Sequence, residues 1–312
     1  HKRVPPYNTE YKQPMMQISP ETQLFIREHQ TDDVRALALQ ARKYPNVDMP
    51  TAITQIAGRQ VAAEKIPSWR DTDDIWYPKH LSLEQCSSEV TARYKATLLK
   101  GNSLTDLTGG FGIDCAFLAT RFKSAIYVER QQELCEIAAH NFPILNLNHI
   151  NVKNEDGVSY LQAMSPVDCI FLDPARRNEH GGKTVAISDC EPDVAELEEL
   201  LLNKAGQVMV KLSPMLDLSL ALKELQHVQE VHIISANNEC KELLLILGQA
   251  SVEEISIHCV NLPTKGTQEE QHFVFTREQE QRSECNYTDT LENYLYEPVS
   301  YTHLTLPTSD LV

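Results

Sequence analysis

The segment LTDLTGGFGID at 104–114 constrains the fold more than any other stretch. An apolar strand ends in Asp106, enters a turn with glycines at 109, 110 and 112, and continues as the apolar helix CAFLATRF. Glycines there let backbone approach a ligand at the carboxyl end of a strand, where open α/β sheets bind ligands. Six further apolar runs read as strands: AIYVE (125–129), HINVK (149–153), VDCIFLD (167–173), QVMVKL (207–212), EVHIIS (230–235) and ELLLIL (242–247). Helical patterns separate the early ones, which argues for a parallel sheet with crossover connections. Only ANNECK separates the last two, which suits a hairpin and therefore an antiparallel edge. The expected fold class is α/β, a mostly parallel sheet with an antiparallel edge hairpin.

Residues 1–80 read as a small helical domain. Ser19 is placed to cap a helix opened by Pro20, Thr31 to cap a second, and PTAITQIAGRQVAAEKI (50–66) to form a third, ended by Pro67. Ile53, Ile56, Ala57 and Val61 recur at helical spacing and are expected to share its buried face. A further helix in LEQCSSEVTARYKATLL (83–99) opens the α/β domain, expected over 81–277. From 278 to 298 the composition turns polar, as in a linker leading into a further, truncated domain. Residues 299–312, VSYTHLTLPTSDLV, resemble translated sequencing adapter and are expected to be non-native. The opening HKRVPPYNTEYKQ has no Met and no signal-peptide pattern, so the chain is expected to begin within a gene.

At 312 residues, with 42% apolar and 23% charged residues, the chain has the composition of a soluble globular protein. No apolar run approaches the roughly 20 residues of a membrane-spanning helix. The eight cysteines include no C-x-x-C pair and none stand closer than 19 residues, which argues against a structural zinc site. Several lie in apolar stretches, which points to a reducing, cytoplasmic location.

The glycine turn lacks the third glycine of a dinucleotide fingerprint, because Cys115 stands three residues after Gly112. The downstream strand ends carry acids instead. Glu129 follows Asp106 by 23 residues, Asp156 follows by 27 more and Asp173 by a further 17. This order and spacing resemble a Rossmann-like class I methyltransferase that binds S-adenosyl-L-methionine. A carboxylate at Glu129 suits a ribose diol, and Asp156 suits an adenine amino group. The cofactor has no phosphate and carries a sulfonium and an ammonium, so an acidic cleft serves where a phosphate cradle would not. Solvated strand-end carboxylates remain the alternative for Glu129 and Asp156. The fourth strand delivers DPARR (173–177), similar to the D-P-P-[YFW] of amino-group methyltransferases but with Ala175 for the second proline and Arg176 for the aromatic. Asp173 and backbone carbonyls held by Pro174 are placed to accept hydrogen bonds from a substrate amine. Arg176 and Arg177 suit base stacking or phosphate contact, with a surface ion pair as the alternative.

DLTGGFGID and DPARR, with LSLEQCSSEVTARYKA before them and KLSPMLDL and SANNECKELL after, resemble a bacterial family of class I methyltransferases. In that family an N-terminal helical region precedes the catalytic domain, and ferredoxin-like and THUMP-like domains follow. The resemblance spans about residues 25–298, with YLYEP (294–298) similar to the opening of the next domain. The first motif is also similar to that of ribosomal RNA guanine-N2 methyltransferases. The resemblance implies an RNA (rRNA or tRNA) base-amine methyltransferase, guanine N2 favoured. It implies cofactor-binding roles for Asp106, Thr108, Gly110, Gly112, Asp114, Glu129, Asp156 and Gly157, and catalytic-loop roles for Asp173, Pro174 and Arg176, without a metal. Ser87, Ser88 and Glu89 either line the cofactor pocket or cap a helix. Lys211, Ser213 and Asp217 are candidates to face substrate, and Asn237, Asn238 and Glu239 suit a hairpin turn.

Against an RNA substrate stands the balance of 28 Lys+Arg to 44 Asp+Glu, a net charge of −16, which repels phosphate backbones at long range. Arg121, Lys123, Arg176, Arg177 and Lys183, with a loop at His180, Gly181 and Gly182, are expected to form a basic mouth to the site. A small-molecule or protein methyltransferase, or a non-catalytic binding module on a methyltransferase scaffold, are the alternatives.

Overall fold

The computed structural model describes residues 17–176, 186–250, 252–263, 269–284 and 290. The expectations for Arg177, His180, Gly181, Gly182, Lys183, Cys285, YLYEP and 299–312 lie outside these residues, as does the side chain of Arg176.

The strands are β1 (Ser103–Asp106), β2 (Ser124–Glu129), β3 (Ile150–Asn154), β4 (Val167–Leu172), β5 (Ala175–Arg176), β6 (Cys190–Glu191), β7 (Ala205–Leu212), β8 (Val228–Ala236), β9 (Glu239–Gly248), β10 (Ser256–Leu262) and β11 (Gln271–Thr276). Nine of them form one sheet in the order β11-β10-β8-β9-β7-β4-β1-β2-β3, and β5 pairs with β6 separately. Strands β3, β2, β1, β4 and β7 are parallel, while β9 is antiparallel to both β7 and β8. This is the Rossmann-like α/β architecture expected from the sequence.

The β8–β9 hairpin turns at Asn237 and Asn238, both at positive φ (50° and 60°), the backbone of a tight primed turn. The hairpin does not form the sheet edge. Strand β10 adds in parallel to β8, pairing its outer backbone groups, and β11 closes antiparallel on β10. These two strands escape sequence reading because SIHCVNL interrupts its apolar residues with half-buried ones and QHFVFT is largely exposed.

The central strands bury both faces, which is why they read as continuous apolar runs. On β9, Leu244 and Ile246 join Leu104, Phe171 and Met209 on one side of the sheet. Leu243, Leu245 and Leu247 join Ile170, Val208 and Val210 on the other.

Among the N-terminal helices, Ser19 caps Pro20–Glu28 by accepting from the Thr22 N–H at 3.2 Å. The next helix, Val34–Leu39, is capped by Asp33 rather than Thr31, since the Asp33 carboxylate directly precedes the first turn and accepts from the Arg35 N–H at 2.8 Å. Helix Met49–Lys65 buries Met49, Ala52, Gln55, Ile56, Gly58 and Ala62. Ile53, Ala57 and Val61 are only half-buried. The face is rotated because Gln55 turns inward and exchanges hydrogen bonds with the Tyr77 N–H and carbonyl at 2.8 and 2.9 Å. Pro67 opens a short helix of its own, Pro67–Arg70. The single helix expected over 83–99 is two, His80–Gln85 and Glu89–Leu98, because Ser88 caps the second. Phe25, Leu37, Met49, Ala52 and Ile56 make a small separate core, whereas Ala62, Ile66, Trp69, Ile75 and Tyr77 merge with the core of the sheet. No described helix is long and apolar enough to cross a membrane.

Candidate active site

The sheet order reverses at β1, which has β2 on one side and β4 on the other. At the carboxyl ends of these strands opens a cleft of about 920 Å³. Asp106, Thr108, Gly110, Gly112, Asp114, Glu129, Asp156, Gly157, Asp173 and Pro174 all line it. Arg176 follows on β5, which pairs with β6 and brings Cys190, Glu191 and Pro192 to the same wall. Arg121 and Lys123 do not reach the mouth. They precede β2, with the Lys123 N–H on the Asn102 carbonyl, at the amino end of the strands. The basic side chains lining the cleft among the described residues are Arg130, Lys211 and Lys241.

The glycine turn folds over the end of β1 with Gly110 at φ +55° and Gly112 at φ +89°, conformations that favour glycine. Glu129 holds the turn: its Oε2 accepts from the Gly110 N–H at 2.9 Å and its Oε1 from the Gln131 N–H at 2.8 Å. The Tyr127 hydroxyl donates to the Gly110 carbonyl. Asp156 caps helix Gly157–Ala163, its Oδ2 accepting from the Ser159 N–H and hydroxyl at 2.9 and 3.1 Å. Gly157 is required by close approach, since a Cβ there would stand 2.3 Å from the Leu107 carbonyl oxygen.

Asp106 is 1% exposed. Its Oδ1 accepts from the Thr108 N–H at 2.9 Å, and its Oδ2 is buried without a hydrogen-bond partner. Burial pushes its carboxyl well above the usual range, opposed by the Thr108 N–H and reinforced by Asp114, Asp173 and Glu129.

Asp173 is fixed from two directions. Its N–H donates to the Thr108 hydroxyl at 2.6 Å, tying the end of β4 to the turn after β1. Its Oδ2 lies 2.6 Å from Lys211 Nζ, at the end of β7. Lys211 also stands 3.7 Å from Asp114, which pairs with fully buried Lys95 at 3.0 Å. Lys95 in turn pairs with Glu242 of β9 at 2.7 Å. Ser87 completes the chain, donating to Asp114 at 2.7 Å and accepting from Lys95 at 2.8 Å. Burial opposes the charge on Lys211, but Asp173, Asp114 and Glu242 outweigh it and hold its ammonium above the ordinary value. Burial would likewise raise Asp114, yet Lys95 and Lys211 hold it below the usual carboxylate range.

Sequence reasoning singled out Ser87 and Lys211 only as alternatives and missed Lys95 and Glu242. Lys95 interrupts an ordinary amphipathic helix, and its partner Glu242 is 147 residues away. No local spacing marks the pair. Ser88 caps Glu89–Leu98, and Glu89 accepts from the Ser68 N–H at 2.8 Å and pairs with Arg93. Asp217 caps helix Leu218–Glu224.

The family model of protein-L-isoaspartate(D-aspartate) O-methyltransferase matches residues 63–178. Among solved structures, a protein of Porphyromonas gingivalis W83 assigned as a methyltransferase is 33% identical, with a TM-score of 0.75, over 86% of this chain and 68% of its own. An rRNA methylase from Streptococcus thermophilus is 15% identical over 52% of this chain and 96% of its own, with a TM-score of 0.38. SMU.1697c of Streptococcus mutans, assigned as a methyltransferase and crystallised with SAH, is 14% identical over 51% of this chain and 96% of its own, also at 0.38. No curated protein matches the chain. With 33% identity across more than two thirds of the Porphyromonas chain, and with this sheet order, the chain belongs to the class I S-adenosylmethionine-dependent methyltransferases.

Proposed function

We propose that this chain transfers a methyl group from S-adenosylmethionine to an exocyclic amino group of an RNA base, guanine N2 being the favoured atom. The observation that carries the reading is Asp173-Pro174 at the end of β4, opening onto the cleft that also holds Asp106, Glu129 and Asp156.

When bound, the cofactor supplies an electrophilic methyl carbon on a sulfonium. The residues fit such a ligand. The buried Oδ2 of Asp106 lacks a partner and faces a site where a cationic ammonium would satisfy it. Each Glu129 oxygen accepts one backbone N–H and keeps a second acceptor site for a ribose hydroxyl. Asp156 caps its helix through Oδ2, which leaves Oδ1 for an adenine amino group. Asp114 faces the lysines, so its part is to hold Lys95 and Lys211 in place.

Asp173 accepts from the substrate amine through Oδ1 while Lys211 fixes Oδ2. A rigid acceptor orients the amine nitrogen in line with the methyl group, which is the contribution positioning makes to such a displacement. The surplus proton leaves to water. Arg176, and in the resembling family a THUMP-like domain that follows the stretch similar to 278–298, are the RNA-capturing parts of this reading. On this reading the protein acts in the cytoplasm, where it would meet an RNA substrate.

The net charge of −16 and the match to an O-methyltransferase family model favour a second reading, a small-molecule or protein substrate. That match spans β1 to β5, with the loop at Asp173 and Pro174 inside it, and leaves β6 to β11 outside. Incubation of the chain with methyl-labelled cofactor and cellular RNA, protein and small-molecule fractions separates the two. Labelled N2-methylguanine in RNA digests, lost in Asp173→Asn, is expected. Label confined to protein or small molecules moves the assignment to the second reading.

A further inference from the structure

Away from the cleft, strands β8, β10 and β11 bring one acid and three histidines to a single patch. Glu230 and His232 stand two residues apart on β8 and therefore share a face. His258 is the register partner of His232 on parallel β10, and their rings stack with centroids 4.4 Å apart and planes at 15°. His272 on β11 pairs with Val260, the residue two beyond His258, so it shares the same face. Its Nε2 lies 3.1 Å from His258 Nδ1. His232 Nε2 lies 3.1 Å from Glu230 Oε2, and its Nδ1 lies 2.9 Å from the Tyr94 hydroxyl. Ligand atoms of Glu230, His232 and His258 all fall within 4.8 Å of one another.

Bonds of about 2.0–2.2 Å to nitrogen and oxygen in a tetrahedral zinc site put neighbouring donors about 3.3 Å apart. The separation of 3.1 Å between His232 Nε2 and Glu230 Oε2 matches that spacing. Imidazole nitrogens with one carboxylate suit Zn²⁺ better than Mg²⁺ or Ca²⁺, which take oxygen donors. The side chain of His232 is 2% exposed and that of Glu230 46%, so the patch opens to solvent on one side.

We propose that Glu230, His232 and His258 form a divalent transition-metal site fitted to Zn²⁺, reached when the His258 ring turns out of its stack on His232 and completed by rotation of His272. A metal there ties β10, and through His272 β11, to β8, so the strands beyond the hairpin gain a cross-link independent of the active-site cleft. Tyr94 is a positioning residue. Its hydroxyl on His232 Nδ1 sets the orientation of the ring, as outer-shell groups do for ligating histidines.

The test titrates Co²⁺, as a spectroscopic stand-in, and then Zn²⁺ into the metal-free full chain by visible absorption and calorimetry. The expected result is stoichiometric Co²⁺ binding with tetrahedral visible bands, displaced by Zn²⁺, together with a Zn²⁺-dependent rise in Tm. His258→Gln and Glu230→Gln, each checked for native circular dichroism, are expected to lose the bands and the rise. Tyr94→Phe is expected to weaken binding about tenfold. Absence of binding by the folded chain would overturn the site. Binding of undiminished strength in His258→Gln would place the metal elsewhere and overturn it equally.

Discussion

Asp106 and Asp114 flank one glycine turn, and their surroundings push them in opposite directions. Asp106 is raised, so the folded chain binds its proton more tightly than the unfolded chain does. Its contribution to stability is fullest below the unfolded value near 3.9 and declines as pH rises toward the raised folded value. Asp114 is lowered, so its contribution is present above that unfolded value and is lost as pH falls through the folded one. Asp106→Asn removes the first effect. It is expected to raise the Tm of the cofactor-free chain at neutral pH and to flatten the decline above about pH 4, as thermal melts across pH would read out. Lys95→Met leaves Glu242 buried without its counter-charge and Asp114 with Lys211 alone, and is expected to cost about 3–5 kcal/mol, measured by urea unfolding. Lys211→Met frees Asp173 from its clamp and is expected to lower kcat roughly 100-fold while the cofactor Kd stays near its starting value. A parallel rise in Kd would assign Lys211 to cofactor binding instead. Asp106, Glu129 and Asp173 were legible because each stands at the end of an apolar strand, and Asp156 because it closely follows one. The Lys95–Glu242 pair was not, because its meaning lies in partners from distant elements.

At the level of elements, the turn after β3 is as demanding as the glycine turn. Gly157→Ala would drive a Cβ against the Leu107 carbonyl, a backbone atom that cannot swing away. The substitution is expected to cost about 1–3 kcal/mol and to weaken cofactor binding, since Asp156 must move with it. Gly206→Ala on β7 is the control, because its Cβ would meet only the Asp168 carbonyl at 3.6 Å. Equal losses of stability in the two variants would contradict the steric account. The same contrast explains which elements could be read in advance. Strands buried on both faces declare themselves as apolar runs. Strand β10, whose buried residues alternate with half-buried ones, and β11, which is largely exposed, owe their places to the edge of β8 that β10 covers and the edge of β10 that β11 covers. Helix faces were legible to within a rotation, and the rotation in Met49–Lys65 comes from Gln55 reaching the Tyr77 backbone, a contact no helical periodicity contains.

Taken as a whole, the molecule is an acidic body with its charge put to use at one place. Six carboxylates, those of Asp106, Asp114, Glu129, Asp156, Asp173 and Glu191, line one cleft and suit it to a cationic, phosphate-free ligand. The lysines facing that cleft are engaged with acids: Lys211 with Asp173 and Asp114, and Lys241 with Glu239. This charge distribution fits the cofactor better than it fits an RNA backbone, so the reading of substrate depends on the catalytic loop and on regions beyond 278. We propose that the acidic cleft binds S-adenosylmethionine through Asp106, Glu129 and Asp156. Calorimetric titration of the cofactor, and separately of its demethylated product, into the folded chain tests it most directly, with Asp106→Asn as the control. Stoichiometric binding of both, lost or strongly weakened in the variant while its circular dichroism stays native, is the outcome this account requires. No heat from the folded chain, or equal binding by the variant, would contradict it.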